Sequence, residues 1–571
     1  MSNEQTSDQQ RSGAADTPRR LADAFVDRSA AQDPMTAAVL GLHAGDTRQV
    51  DLSPEGFEAL ADLARETLAA LDRLPATATA TDPTEAACAR LLRERLTAQL
   101  AVHEAGDHVR ALRNTNSPIH YVRSIFTLMP TGTEEEWAAV AGRLRAVPGA
   151  VAGYRATLGQ GIERGLLSAP RQVETVLAQL DAWTGRADGG AGWFAGFVAD
   201  GPERLRGELD AAALAATAAV GELRDWLTES YLPKAAGTPD AVGLERYLRS
   251  ARLATGSDVD VAEAYDWAWT EFHRTRAEMV TAAEQVLPGA GVTAAMDHLN
   301  EHGHAIKGEE AVRDWLQGVM DEAIAALDGT HFDITGPLRR VESRIAPAGS
   351  AAAPFYQGPS LDFSRPGRTY LPTLGRDTFP TWQLVSTWYH EGVPGHHLQL
   401  ARWTAVADQL SRYQVTLGKV SANVEGWALY AERLMDDLGF LADPADRLGY
   451  LTKQMLRVIR VIVDIGMHMR LAIPADSPFH PGRTWTPELA DLFLATYQGS
   501  PAARRASEVN RYLGWPGQAI GYKLGERAWL QGREAARHRL GPAFDLKTWH
   551  MKAISQGSYG LDDLTANLAS L

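Results

Sequence analysis

Between residues 390 and 397 the chain reads His-Glu-Gly-Val-Pro-Gly-His-His. Three imidazoles and a carboxylate within eight residues are donors of the kind that hold zinc. In the zinc motif His-Glu-x-x-His, positions i and i+4 share one helix face. Both imidazoles then reach one ion, and the glutamate at i+1 addresses the attacking water. This chain departs from that spacing. Position i+4 is Pro394, which cannot ligate, and the next histidines are His396 at i+6 and His397 at i+7. On an unbroken helix i+6 leaves the face, while i+7 returns to it about 10 Å further on. Pro394 and Gly395 oppose an unbroken helix, because proline removes a ladder bond and clashes with the preceding turn. A kink or a two-residue bulge would bring His396 to the place of the i+4 histidine. Alternatively, His397 reaches back across small residues. His390 and His396 are the expected ligands, His397 is the alternate, and Glu391 is the expected general base.

A hydrolytic zinc site needs a third protein ligand and one position left for water. Lys419 to Leu438 reads as the next helix, ended by Gly439. It carries Glu425 and Glu432, seven residues apart on one face amid bulky apolar residues. A carboxylate in that setting must be exposed, paired or on a metal. Glu425 is the expected third ligand, with Glu432 behind it as a support or in a salt bridge. The helix predicted from Gln454 to Leu471 is apolar nearly all round and should be buried. Its polar stripe, Arg460, Asp464 and His468, faces a cleft or forms an internal ion-pair chain. Tyr522 or His468 is the expected donor to an oxyanion, with Tyr512 behind Tyr522. Arg460, Arg365 and Arg511, with Tyr512, are the expected contacts to a substrate carboxylate.

The elements that position these groups read as helices. Apolar residues Phe57, Leu60, Leu63, Leu71 and Leu74 lie close to one helical face in 57–74. Pro170 opens a second case through Val173, Val176, Leu177, Leu180 and Trp183. Strand-like stretches concentrate between Thr330 and Leu374, where turn residues are dense, and predict a small sheet or ordered loop. The expected fold is mostly α, with a small β or loop-rich insertion. Residues 1–20 are expected to be a disordered leader. A soft boundary near Ala346–Ser350 separates a helical region, 21–345, from a catalytic region, 346–571.

Composition narrows the function. With 56 basic and 71 acidic residues the net charge is −15, which disfavours nucleic acid and anionic membranes as partners. The single cysteine, Cys88, excludes an internal disulfide and a Cys-based zinc site. It is expected to be a small core residue. The polar N-terminus lacks the apolar core of a secretory signal, and no run of about 18 apolar residues occurs, so the expected address is cytoplasmic.

The stretch His390 to Gln399 resembles the signature of a large bacterial family named only as domain of unknown function 885. Ser364-Arg365-Pro366-Gly367, Glu425-Gly426-Trp427-Ala428-Leu429-Tyr430, the helix with Arg460, Asp464 and His468, and Arg511-Tyr512 with Pro516-Gly517-Gln518-Ala519 are similar as well. Two segments depart from the family pattern: residues 471–487, and Gly557 to Leu561, where a proline is expected before leucine. The resemblance implies a mostly helical body with a deep channel, distantly similar in layout to helical zinc peptidases. It implies Zn2+ on His390, His396 or His397, and Glu425, with Glu391 as base. The expected activity is a gluzincin-like metallopeptidase cleaving amide bonds in short peptides. A metal-dependent amidohydrolase acting on a non-peptide metabolite and a metal-free helical binding protein are the alternatives. Oligomeric state stays open.

Overall fold

The computed structural model describes residues 17–42, 45–80, 82–347 and 353–571. Residues 1–16 of the expected leader lie outside these. Its last residues are helical instead, because Pro18 occupies the first turn of α1 (Pro18–Gln32) and the Thr17 side chain accepts from the Arg20 N–H. The described chain is mostly α, as expected. Helix Pro54–Asp72 matches the first apolar periodicity, and Pro170–Trp183 begins at the proline that signals it.

Two hydrophobic cores organise the helices. In the smaller, α2 (Glu134–Glu163) packs along α3 (Arg206–Trp226), burying Leu144, Val147, Leu158, Leu209 and Val220. The larger takes residues from both sides of the expected boundary, joining Leu92, Phe272 and Leu316 to Trp388, Trp427 and Ile459. Around it run α4 (Gly243–Thr255), α5 (Val261–Val286) and α6 (Glu309–Leu327).

The insertion predicted between 330 and 374 is a sheet. After β1 (Ala305–Lys307) come β2 (Val341–Ile345), β3 (Phe355–Gln357), β4 (Gly367–Leu371) and β5 (Thr378–Pro380). β4 is central, parallel to β2 and antiparallel to β3, while β1 pairs with β5. The chain then enters α7 (Leu384–Glu391), α8 (His396–Ala405), α9 (Ser421–Asp437) and α10 (Pro444–Met469). α11 (Ala502–Gly514) and α12 (Gly521–Leu540) follow. α10 starts ten residues before the expected Gln454, because Pro444 and the capping Asp443 nucleate it earlier. Among the described residues no helix is long and apolar enough to cross a membrane.

α9 and α12 cross at two glycines. A Cβ on Gly426 would come 2.4 Å from the Gly525 carbonyl carbon, and one on Gly525 would come 2.0 Å from the Ala422 oxygen. This backbone-to-backbone approach sets the height of Glu425, the residue before Gly426. Gly426→Ala is expected to destabilise the protein by about 1–3 kcal/mol through overpacking. Gly159→Ala, on a helix with open space at its Cβ, should leave the denaturation midpoint unchanged or slightly raised. Chemical denaturation of the two variants provides the comparison.

Candidate metal centre

α7 stops at Glu391, and α8 begins at His396. Four residues, Gly392 to Gly395, redirect the chain. The Gly392 N–H donates to Trp388 O (2.8 Å), Gly395 N–H to Tyr389 O (3.0 Å) and His397 N–H to Gly392 O (3.0 Å). A Cβ on Gly395 would sit 2.0 Å from His390 O and 2.4 Å from Tyr389 O, so no larger residue fits without moving the backbone. The Val393–Pro394 peptide is cis. The indole N–H of Trp427, on α9, donates to the carbonyls of Pro394 (2.9 Å) and Gly395 (3.1 Å). This side chain ties the break to the helix that carries Glu425.

The break brings His390 and His396 together. Their ring centroids are 4.8 Å apart. Glu425 Oε2 lies 3.3 Å from His390 Nε2 and 3.7 Å from His396 Nε2, and the three ligand atoms fall within 4.8 Å of one another. Donors about 2.0–2.1 Å from a tetrahedral zinc stand roughly 3.3 Å apart, so the trio needs little closure to hold an ion. Among the described residues the buried Glu425 Oε2 has no hydrogen-bond partner, which fits an oxygen free to ligate a cation. The His390 Nδ1–H donates to Glu432 Oε1 at 2.7 Å. A carboxylate only accepts, so in the neutral imidazole that metal ligation requires, this bond leaves Nε2 as the lone-pair nitrogen facing the trio.

Electrostatics follow from burial. Desolvation works against a charged His390, but the nearby carboxylates of Glu425 and Glu432 outweigh it and raise its pKa. Burial would raise Glu425, but His390 and His396 hold it below the ordinary carboxylate range. His396 is lowered to about 4, mainly by desolvation. Glu391 is pushed up to about 7 by burial, against the pull of His390, and its neighbours act through charge rather than hydrogen bonds.

A cavity of about 380 Å³ opens on this trio. Glu391, Tyr356 and Tyr522 line it, together with Lys453, Arg457, Arg460 and Arg504. Tyr522 and Arg460 are thus at the site as expected. Arg460 is already paired, however, through two 3.1 Å bonds to Glu508, and its guanidinium lies 4.7 Å from the Tyr522 ring centroid.

Five expected residues are placed elsewhere. His397 stands apart from the trio: its Nε2–H donates to Leu338 O (2.9 Å), and its Nδ1 accepts from the Tyr356 hydroxyl (2.9 Å). Both ring nitrogens are spent on holding the sheet against α8. His468 is not an oxyanion donor. It is fully buried, donating from Nε2 to Tyr512 O (3.0 Å) and accepting from the Val242 N–H (3.3 Å) at Nδ1. Its neighbour Asp464 accepts from Tyr247 and from the Gly517 N–H, so the stripe on α10 splits between cavity and packing. Arg511 and Tyr512 both bind Glu508 rather than line the cavity. Arg365 is turned to its own backbone, at Pro366 O. From the Ser364–Gly367 segment only Gly367 serves the site, as a spacer: a Cβ there would strike His397 Nδ1 and the Tyr356 hydroxyl, each at 2.5 Å.

Lys453, Arg457 and Arg504 were not anticipated. Lys453, Arg457 and Arg460 recur at i, i+4 and i+7 on an otherwise apolar helix, a basic stripe visible in the sequence.

The profile of a family described as "Bacterial protein of unknown function (DUF885)" matches residues 34–568. The chain belongs to this family. No curated protein matches the sequence. Two solved structures are similar. One is a candidate lipoprotein from Colwellia psychrerythraea, at 22% identity and a TM-score of 0.82, with 97% of this chain and 98% of that chain covered. The other is a candidate lipoprotein of unknown function from Shewanella oneidensis, at 18% identity and a TM-score of 0.73, with 97% and 100% covered. At these identities the likeness establishes the fold alone.

The Glu508 cluster makes a pH-dependent link between α10 and α11. Burial would raise Glu508, but the charges of Arg460 and Arg511 hold it well below the carboxylate value of 4.5. A folded-state value below the unfolded one contributes stability above pH 4.5, and that contribution is lost as pH falls toward the native value. Glu508→Gln should therefore lower stability at pH 7 by on the order of 3 kcal/mol. The variant should also lose less stability than wild type between pH 5 and pH 3, measured by urea denaturation across that range.

Proposed function

We propose that this protein is a zinc-dependent hydrolase that cleaves amide bonds in short peptides. The observation that carries the reading is the convergence of His390 Nε2, His396 Nε2 and Glu425 Oε2 on one cavity wall beside the Glu391 carboxylate. Two imidazoles, one carboxylate and an adjacent glutamate form the donor set of hydrolytic zinc sites, and the carboxylate–histidine bond from Glu432 supports it. Zinc bound there supplies Lewis acidity toward a carbonyl and toward water.

The chain's own residues supply the proton handling. Glu391 takes a proton from the attacking water and passes it to the leaving amine nitrogen. Burial strengthens it as a base, and a bound cation acts in the opposite direction. We assign to Tyr522, which lines the cavity, the donation to the oxyanion that forms as the carbonyl becomes tetrahedral. Glu432 holds His390 in one tautomer and orientation. A cavity of about 380 Å³ suits a short peptide better than a folded chain.

Elemental analysis of chelator-free protein should find close to one zinc per chain. His390→Ala, His396→Ala and Glu425→Ala should each lose the metal, whereas His397→Ala should keep it and melt at lower temperature. Glu391→Gln should keep the metal and lose about 10²–10⁴-fold in turnover of short peptides. Unchanged turnover in that variant, or no bound metal in wild type, overturns the reading. Turnover of acylated small molecules but not of dipeptides moves the substrate to non-peptide amides.

A further inference from the structure

Part of the cavity lining is basic. Lys453 and Arg457 lie one turn apart on α10, and Arg504 reaches in from α11. Among the described residues they make, with Arg460, four cations in a lining that holds two acids, Glu391 and Glu425. This concentration occurs in a chain of net charge −15, so it is not a general property of the surface.

The nearby acids do not account for it. Glu425 faces His390 and His396, Glu432 accepts from His390, and Glu508 takes Arg460 and Arg511. Among the described residues Arg457 has one loose contact, 3.7 Å from Glu432, and its buried Nε and Nη1 have no hydrogen-bond partner. Among the described residues the side chains of Lys453 and Arg504 make no hydrogen bond or ion pair, and they are influenced by neighbours only through charge. Like charges held together in a half-buried cavity oppose folding, and the buried, unfilled donors of Arg457 add to that cost. An anion seated between them removes both penalties.

We propose that Lys453, Arg457 and Arg504 form an anion subsite that seats a carboxylate of the substrate beside the reacting centre. The inference rests on the hydrolase reading for its substrate class, but the subsite can be tested by binding alone. A carboxylate fits because two cationic donors one helical turn apart, with a third from α11, can address both of its oxygens. A free peptide C-terminus and an acidic side chain or acyl group are the two sources of this chemistry.

Full-length Glu391→Gln protein, loaded with zinc, is titrated calorimetrically with three probes: acetyl-Ala-Ala, acetyl-Ala-Ala-amide and succinyl-Ala-Ala-amide. At least one carboxylate probe should bind about tenfold or more tighter than the neutral amide, as expected for charged hydrogen bonds lost. Preference for acetyl-Ala-Ala assigns the subsite to a C-terminus. Preference for the succinyl probe assigns it to an acid elsewhere in the ligand. Adding Lys453→Met or Arg504→Met should abolish the preference; Arg504 is exposed, so its replacement should leave the fold intact. Equal binding of acid and amide, no binding of any probe, or a preference that survives both substitutions overturns the subsite. Zinc content and peptide turnover of the wild type, measured separately, report on the hydrolase reading.

Discussion

One hydrogen-bond donor, the indole N–H of Trp427, holds the candidate site together. It reaches the carbonyls of Pro394 and Gly395, the last two of the four residues that separate the His-bearing helices. Trp427 lies two residues after Glu425 on α9, so the same short stretch supplies a ligand candidate and fastens the loop that delivers another. Trp427 is itself fully buried against Trp529 and Tyr430. The polar anchor is therefore set in a packed aromatic cluster, where a lost bond would strand carbonyls out of reach of water.

Close backbone contacts make that geometry possible. Gly395 lets the break fold back against His390 O, Gly426 and Gly525 let α9 meet α12, and Gly367 leaves room for the Tyr356–His397 bond. Each removes a side chain where the distance between elements decides the distance between functional groups. The result is a largely buried trio whose histidine tautomer and carboxylate charge are set by neighbours, with Glu432 behind His390 and the Glu508 cluster fixing α11 to α10. Pre-organisation of this kind is costly to fold and is tolerated because the surrounding core is large and continuous across the middle of the chain.

Much was legible in the residues alone. Proline and capping signals at Pro170 and around Gly439 marked helix ends, and the density of turn residues between Thr330 and Leu374 marked the sheet. The concentration of His and Glu at 390–397, with Glu425 and Glu432 seven residues apart, named the donors now found together. These are local properties: periodicity, capping and composition act over one or two helical turns, and the sequence carries them directly.

Partner choice among those donors was decided only by the tertiary structure. Spacing could not separate His396 from His397, because the answer depends on what surrounds each ring. Leu338 and Tyr356, far off in the chain, occupy both nitrogens of His397 and leave His396 facing Glu425. Likewise His468, Arg511 and Tyr512 carry suitable chemistry, yet a carbonyl or Glu508 claims them first. The basic stripe of Lys453 and Arg457 was visible as a pattern, but only the packing of α10 against α7 and α9 turned it toward a cavity. The sequence by itself determined which side chains were available and which helices would carry them. The fold decided which of them remained unspent, because a polar group inside a protein bonds to whatever partner the long-range packing sets beside it.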